Sequence, residues 1–282
     1  TLSDASIRVT DRERSARFNP MVAEGASLRL ADNRIEADAA LREEQSGRHV
    51  VDAAIIHDLG TGTGHADLSV PGLTFDEGLQ PTDVTPLALG VVANAAGTVE
   101  GTGRIDWSGQ GVTSTGRFTT EALDFAAAFG PVRGLAGTVR FTDLLGLVTA
   151  PDQQITVAEV NPGIPVENGV VRYALEPGKV FAFQSGKWPF LGGTLELRPV
   201  RMTLGVEETR RYVFVIEGLD AARFLARMDL ANLSATGTFD GTLPVVFDKS
   251  GGRIEDGFLR SRPPGGNLSY VGALSYEDMP AI

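Results

Sequence analysis

The chain has 282 residues, long enough for one large domain or two ordinary ones, and 42% of them are apolar or aromatic, which argues against wholesale disorder. A formal net charge of −11 with scattered basic residues argues against nucleic acid as a partner. Cysteine is absent, so disulfides and thiolate metal sites are excluded and the redox compartment stays open.

In chain order, residues 1–24 read as an edge strand and then a loop around Phe18-Asn19-Pro20. Thr1-Leu2-Ser3-Asp4 begins directly in polar sequence, in mid-pattern, and the expectation is a piece of a longer chain whose targeting or anchor segment lies elsewhere. The run from Thr85 to Ala96 is too short and interrupted to span a bilayer. Gly25 to Glu44 predicts a hairpin, with Leu28 and Leu30 alternating into a turn at Ala31-Asp32-Asn33-Arg34, and Ile35, Ala37, Ala39 and Leu41 alternating back. Arg48 to Asp58 predicts the next strand.

Gly60-Thr61-Gly62-Thr63-Gly64 follows an apolar strand, as nucleotide-binding loops do. Such a loop needs a helix after it, whereas His65 to Phe75 alternates like a strand, so the stretch predicts a turn. Pro86 to Asn94 predicts a short helix. Gly97–Trp107, Gly111–Thr119, Gly137–Phe141 and Ile155–Val160 predict strands, with a tight turn at Asp143–Leu147. Ala122 to Phe129 is compatible with a helical turn or a strand. Asn161-Pro162-Gly163-Ile164-Pro165 cannot continue a ladder and reads as a corner. Val170–Leu175 and Lys179–Ser185 predict a hairpin, and Leu195–Leu197 and Arg211–Ile216 predict further strands.

The strongest helix runs from Asp220 to Leu230, with Asp220 as N-cap and Ala221, Phe224, Leu225 and Met228 on one face. From Thr236 to Gly272 a phrase recurs: a glycine, a polar residue, then alternating apolar residues. Gly241-Thr242-Leu243 runs on to Val245 and Phe247, and Gly252-Arg253-Ile254 and Gly266-Asn267-Leu268 follow it. Gly137-Thr138-Val139 and Gly193-Thr194-Leu195 show the same phrase upstream. The glycines read as turn or bulge positions, and Pro263-Pro264 as a corner that limits further pairing. The class is all-β: an extended, twisted antiparallel sheet, curved into an open half-pipe, with one or two short helices.

No catalytic set emerges. His57 and His65 with Asp58 and Asp67 match no metal-ligand spacing, and no Gly-x-Ser-x-Gly elbow occurs. Glu207-Glu208 and Glu255-Asp256 read as solvated turns, although a glycosidase pair remains a third reading, since separation in space is not visible here. No cofactor is implied, and no cationic pocket is legible.

The apolar alternation points elsewhere. A sheet face with no helices to cover it must close, pair or hold something greasy. A diacyl lipid exposes about 30 methylenes, roughly 25 kcal/mol of transfer cost into water. By parity the inward candidates are Leu28, Leu30, Ile105, Trp107, Val139, Phe141, Phe181, Phe183, Leu195, Leu197, Val213, Val215, Leu243, Val245 and Phe247. The competing reading is a structural or adhesive solenoid or sandwich whose core these residues fill.

Phe239-Asp240-Gly241-Thr242-Leu243-Pro244, Gly251-Gly252-Arg253-Ile254 and Pro263-Pro264-Gly265-Gly266 with Tyr270 resemble the C-terminal domain of YdbH-type proteins, sometimes labelled a dicarboxylate-transport domain. These belong to the AsmA-like, bridge-type lipid-transport group of Gram-negative bacteria. Asn161–Pro165, Trp188–Leu195 and Glu217-Gly218-Leu219-Asp220 also fit, so the likeness covers roughly 85–282 within one elongated β region. The resemblance implies a periplasmic β-groove carrying phospholipids between the inner and outer membranes. It further implies an inner-membrane anchor outside this stretch and an outer-membrane lipoprotein partner. It brings no catalytic residues.

Overall fold

A computed structural model describes residues 1–127, 130–161, 165–206, 209–228, 232–248 and 251–270. The first strands are β1 Leu2–Val9, β2 Met21–Ala31, β3 Arg34–Glu43, β4 His49–Asp58 and β5 Thr63–Phe75. One helical turn, α1 Pro81–Val84, and a 3-10 turn at Pro86–Ala88 precede β6 Ala93–Ser108. Then come β7 Gly111–Ala127, β8 Gly130–Asp143, β9 Val148–Thr149, β10 Gln153–Val160, β11 Val166–Glu176 and β12 Val180–Phe190. The remaining elements are β13 Gly193–Leu197, β14 Val200–Thr203, β15 Arg210–Asp220, α2 Ala221–Arg227, β16 Leu233–Ala235, β17 Thr238–Asp248, β18 Gly251–Ile254, β19 Phe258–Ser261 and β20 Leu268–Tyr270.

Eighteen strands form one open antiparallel sheet, and β16 and β20 make a separate pair. The all-β expectation holds, and the contacts group into two units: residues 1–186 with 199–208, and residues 187–198 with 209–282.

The first unit is mostly a meander. Each of β1 to β8 pairs with the next, and β8 continues through β10 to β11. The turns explain part of this order. Asp32 and Asn33 both take left-handed backbone angles, φ 48° and 63°, the geometry that reverses a hairpin in two residues. In the second unit β15 is central, flanked by β13 and β17, and β17 carries both β18 and β19.

Two expectations change, and one that was open is decided. The helix expected over Pro86–Asn94 is only the two short turns, because Ala93 and Asn94 already belong to β6. Ala122 to Ala127 is strand, and Phe129 lies outside the described residues. The phrase at Gly266 leads into β20, which pairs with β16 and not with the main sheet. The helix at Asp220 is present as α2, with the Asp220 side chain accepting from the Arg223 amide; Leu230 lies outside the described residues. So do Pro162 to Ile164, Glu207-Glu208 and Gly272.

Candidate functional site: the apolar sheet face

Cross-strand partners share a face, so register assigns every side chain to one side of the sheet. In the first unit one side carries Leu28, Leu30, Ile35, Ala37, Ile55, Ala66, Ile105 and Trp107. Farther along the ladder it carries Phe118, Leu135, Val139, Phe141, Ile155, Val157, Val171 and Tyr173. The reverse side carries Asp38, Asp52, Asp67, Thr102, Arg104, Thr115, Arg117 and Arg140. The apolar side runs through nine strands, β2 to β8 with β10 and β11, and the charged side through the six from β3 to β8.

Most of the glycines in the repeated phrase sit on the apolar side, within strands. Of these Gly252 stands directly opposite Phe247, and four further strand glycines, Gly64, Gly97, Gly101 and Gly116, stand opposite Trp107, Phe75, Phe118 and Phe141. A Cβ on Gly64 would lie 2.6 Å from the Trp107 ring, and one on Gly101 would lie 2.4 Å from Phe118 Cδ1. These positions are bare so that an aromatic ring can lie flat on the neighbouring strand, the cross-strand rescue of a strand glycine. Turn chemistry is not their main role.

One end of this face is closed. Leu41, Val51, Val70, Leu73, Phe75, Leu79 and Ala95 are buried, with Phe18, Val84 and Val92 packed against them. The covering segments are tied down by polar bonds. Asn19 Nδ2 donates to the Thr82 and Asp83 carbonyls at 2.8 and 3.0 Å, and the Gln80 amide exchanges bonds with the backbone of Ala95. Asp11 accepts from Arg17 through both carboxylate oxygens, and this pairing holds its carboxyl far below the usual range.

The other end is open. Leu30 and Val112 are 55% and 58% exposed, while Trp107 is half-buried and donates from Nε1 to His57 Nδ1 at 3.0 Å. Between the ends, Leu144 folds back over Gly103 and Gly116, and Phe118 meets Phe141 edge to face with centroids 6.0 Å apart. Tyr173 stacks on Phe181 at 5.4 Å, and burial pushes its phenol up to about 12. The first unit holds no helix longer than four residues among the described ones, so no helical layer covers this face.

In the second unit, Leu195 and Leu197 share a side with Tyr212, Phe214, Ile216, Leu243, Val245 and Phe247. Val213 and Val215 stand on the opposite side, opposite Pro244 and Thr242. Alternation alone could not place them, because Tyr212 to Ile216 is apolar without a break.

A YdbH-like family model, described as intermembrane phospholipid transport protein YdbH, matches residues 1–281. The chain belongs to the YdbH-like family. No curated protein and no solved structure matches it. The match takes in the first 84 residues, which carry none of the motifs that suggested the likeness. YdbH-like proteins form a lipid-transport family and not an enzyme family, and an uncovered apolar sheet face is compatible with that work. No helix of the described residues is long and apolar enough to cross a membrane.

Of the predicted positions, the YdbH-like sheet brings Leu28, Leu30, Ile105, Trp107, Val139 and Phe141 onto one side of the first unit. Phe181 and Phe183 join Met202 and Val200 across β12 and β14. The prediction missed Ile55, Ala66, Leu135, Ile155 and Tyr173 on the first unit's face, and Tyr212, Phe214 and Ile216 on the second's; the same alternation, extended by register, finds them. His65 Nε2 lies 3.6 Å from an Asp67 oxygen on the polar side, while His57 is held by Trp107 on the apolar side, so the two histidines do not converge.

Proposed function

We propose that this chain carries phospholipid acyl chains along the apolar face of its sheet, in the periplasm, between the inner and outer membranes. The supporting observation is the predominant segregation of apolar from polar side chains across the strands of the first unit, on a face without a helical layer. Each buried methylene removes about 0.8 kcal/mol of hydration cost, so such a face lowers the barrier to lipid movement without any bond chemistry. The reverse side, with Asp38, Asp52, Asp67, Arg104, Arg117 and Arg140, carries mixed charge and faces water at little cost. An inner-membrane anchor outside this stretch and an outer-membrane lipoprotein partner complete the proposal, in keeping with a family of intermembrane transporters.

The test is in-cell photo-crosslinking. A crosslinker at Phe141, Leu195 or Val245 captures phospholipid, and one at Arg104 or Glu196 on the reverse sides does not. Capture at the polar positions alone would sink the reading. The closed end of the first unit favours a second reading, a structural module with a filled core. That reading is distinguished by lipid extraction and mass spectrometry of the purified chain, which then yields no lipid.

A further inference from the structure

Within the second unit, the tip of the β12–β13 hairpin rests against α2. The Asp220 amide donates to the Leu191 carbonyl at 2.9 Å, and Asp220 caps the helix through the Arg223 amide. Gly192 makes this approach possible: its φ is +87°, and a Cβ there would sit 3.1 Å from the Asp220 Cβ. Between hairpin and helix lies an open pocket of about 680 Å³, lined by Phe190, Leu191, Gly192, Arg223, Ala226 and Arg227, among others.

Arg223 and Arg227 are four residues apart, so both guanidinium groups leave the same side of the helix. Like charges at that spacing repel and weaken a helix slightly, and a compensating carboxylate is the usual remedy. In the same unit Arg211, Arg253 and Arg262 each hold one, from Glu255, Asp248 and Asp240. Among the described residues, no ion pair reaches Arg223 or Arg227. The pocket is therefore two-sided in chemistry: two unpaired cations on one wall and the half-buried Phe190 and Leu191 on the other.

We infer that this pocket is a phosphate-ester site, in which Arg223 and Arg227 clamp the phosphate while Phe190 and Leu191 contact the apolar part of the same molecule. The planar guanidinium fork matches phosphate oxygens in pairs, which a single ammonium does not. The phosphate could come from a lipid headgroup or from free phosphate. Only the assignment to a headgroup rests on the lipid-carrying reading above; the anion site stands apart from it.

The test is calorimetric titration of the 282-residue chain with dihexanoyl-phosphatidylglycerol below its micelle concentration, and separately with inorganic phosphate. The variants are R223Q/R227Q and R223K/R227K, both at exposed positions that tolerate the change. The expected result is lipid binding that weakens at least about tenfold in R223Q/R227Q and is partly retained in R223K/R227K. Binding of inorganic phosphate with equal affinity and the same dependence on the arginines supports the site with free phosphate as its source. Lipid binding unchanged in R223Q/R227Q overturns the site while leaving the lipid-carrying face intact. Absence of binding by both probes to the unsubstituted chain also overturns it. In that case crosslinking at Phe141 still decides the broader reading.

Discussion

At one end of the first unit's apolar face, Leu41, Val51, Val70, Leu73 and Phe75 lie under Phe18, Val84 and Val92; at the other end, on the same side of the sheet, Leu30 and Val112 face solvent. The strand residues do not make this difference, since both ends alternate alike. The connections make it. The open end is bounded by short reversals such as Asp32-Asn33 and Gly109-Gln110, which have no chain to spare. The closed end is bounded by the long connections through residues 10–20 and 76–92, and these bring their own apolar side chains back over the sheet. Loop length thus decides which part of one continuous face is a dry core and which part is free to meet a ligand.

That contrast can be tested by how each end responds to loss of a side chain. Leu79→Ala, at 1% exposure in the closed end, is expected to cost about 2–5 kcal/mol in denaturant unfolding. Leu30→Ala at the open end is expected to stay within about 0.5 kcal/mol. Equal losses would show that the two ends are packed alike. The glycines should divide in the same manner. Gly101→Ala pushes a methyl into Phe118 and the Arg117 carbonyl, for an expected cost of about 1–3 kcal/mol, whereas Gly109→Ala meets nothing within 4 Å and should be near neutral.

Trp107→Phe keeps the ring over Gly64 but removes the bond to His57. The expected loss is about 1 kcal/mol, with a change in the His57 imidazole signals in NMR as the sharper readout. The smallest effect concerns the strap at the closed end. The Asp11 carboxyl is held far below its ordinary range by Arg17, so its contribution is fully present above about pH 4 and fades as pH falls toward the folded-state value. Asp11→Asn should flatten that acid limb of the stability curve and leave the neutral plateau lower. An unchanged acid limb would mean that the strap contributes nothing at the closed end.

Much of this was legible in the residues. The period-two alternation of Ile35, Ala37, Ala39 and Leu41 gave their strand and their side, and Asp32-Asn33 gave the turn. The side of Val213 and Val215 was not legible, because a fully apolar run has no parity until Leu197 and Leu243 fix Phe214 between them. The glycines were read as turns because bareness looks the same in a turn and under a ring; only cross-strand partners separate the two. Arg223 and Arg227 gave no signal as a pair of interest, since their pocket needs the Gly192 hairpin tip, thirty-odd residues upstream, laid against the helix.

The meander has a consequence for how the chain comes together. From β1 to β8 every strand lies beside its immediate predecessor in sequence, so, apart from the connections through residues 10–20 and 76–92, each addition closes only a small loop and costs little entropy. Assembly can then proceed like a zipper, one hairpin at a time, in the order in which the chain becomes free to fold. It also means that a hairpin could be duplicated or deleted without re-routing any other strand, so the length of such a sheet is a quantity evolution can adjust in units of about two strands.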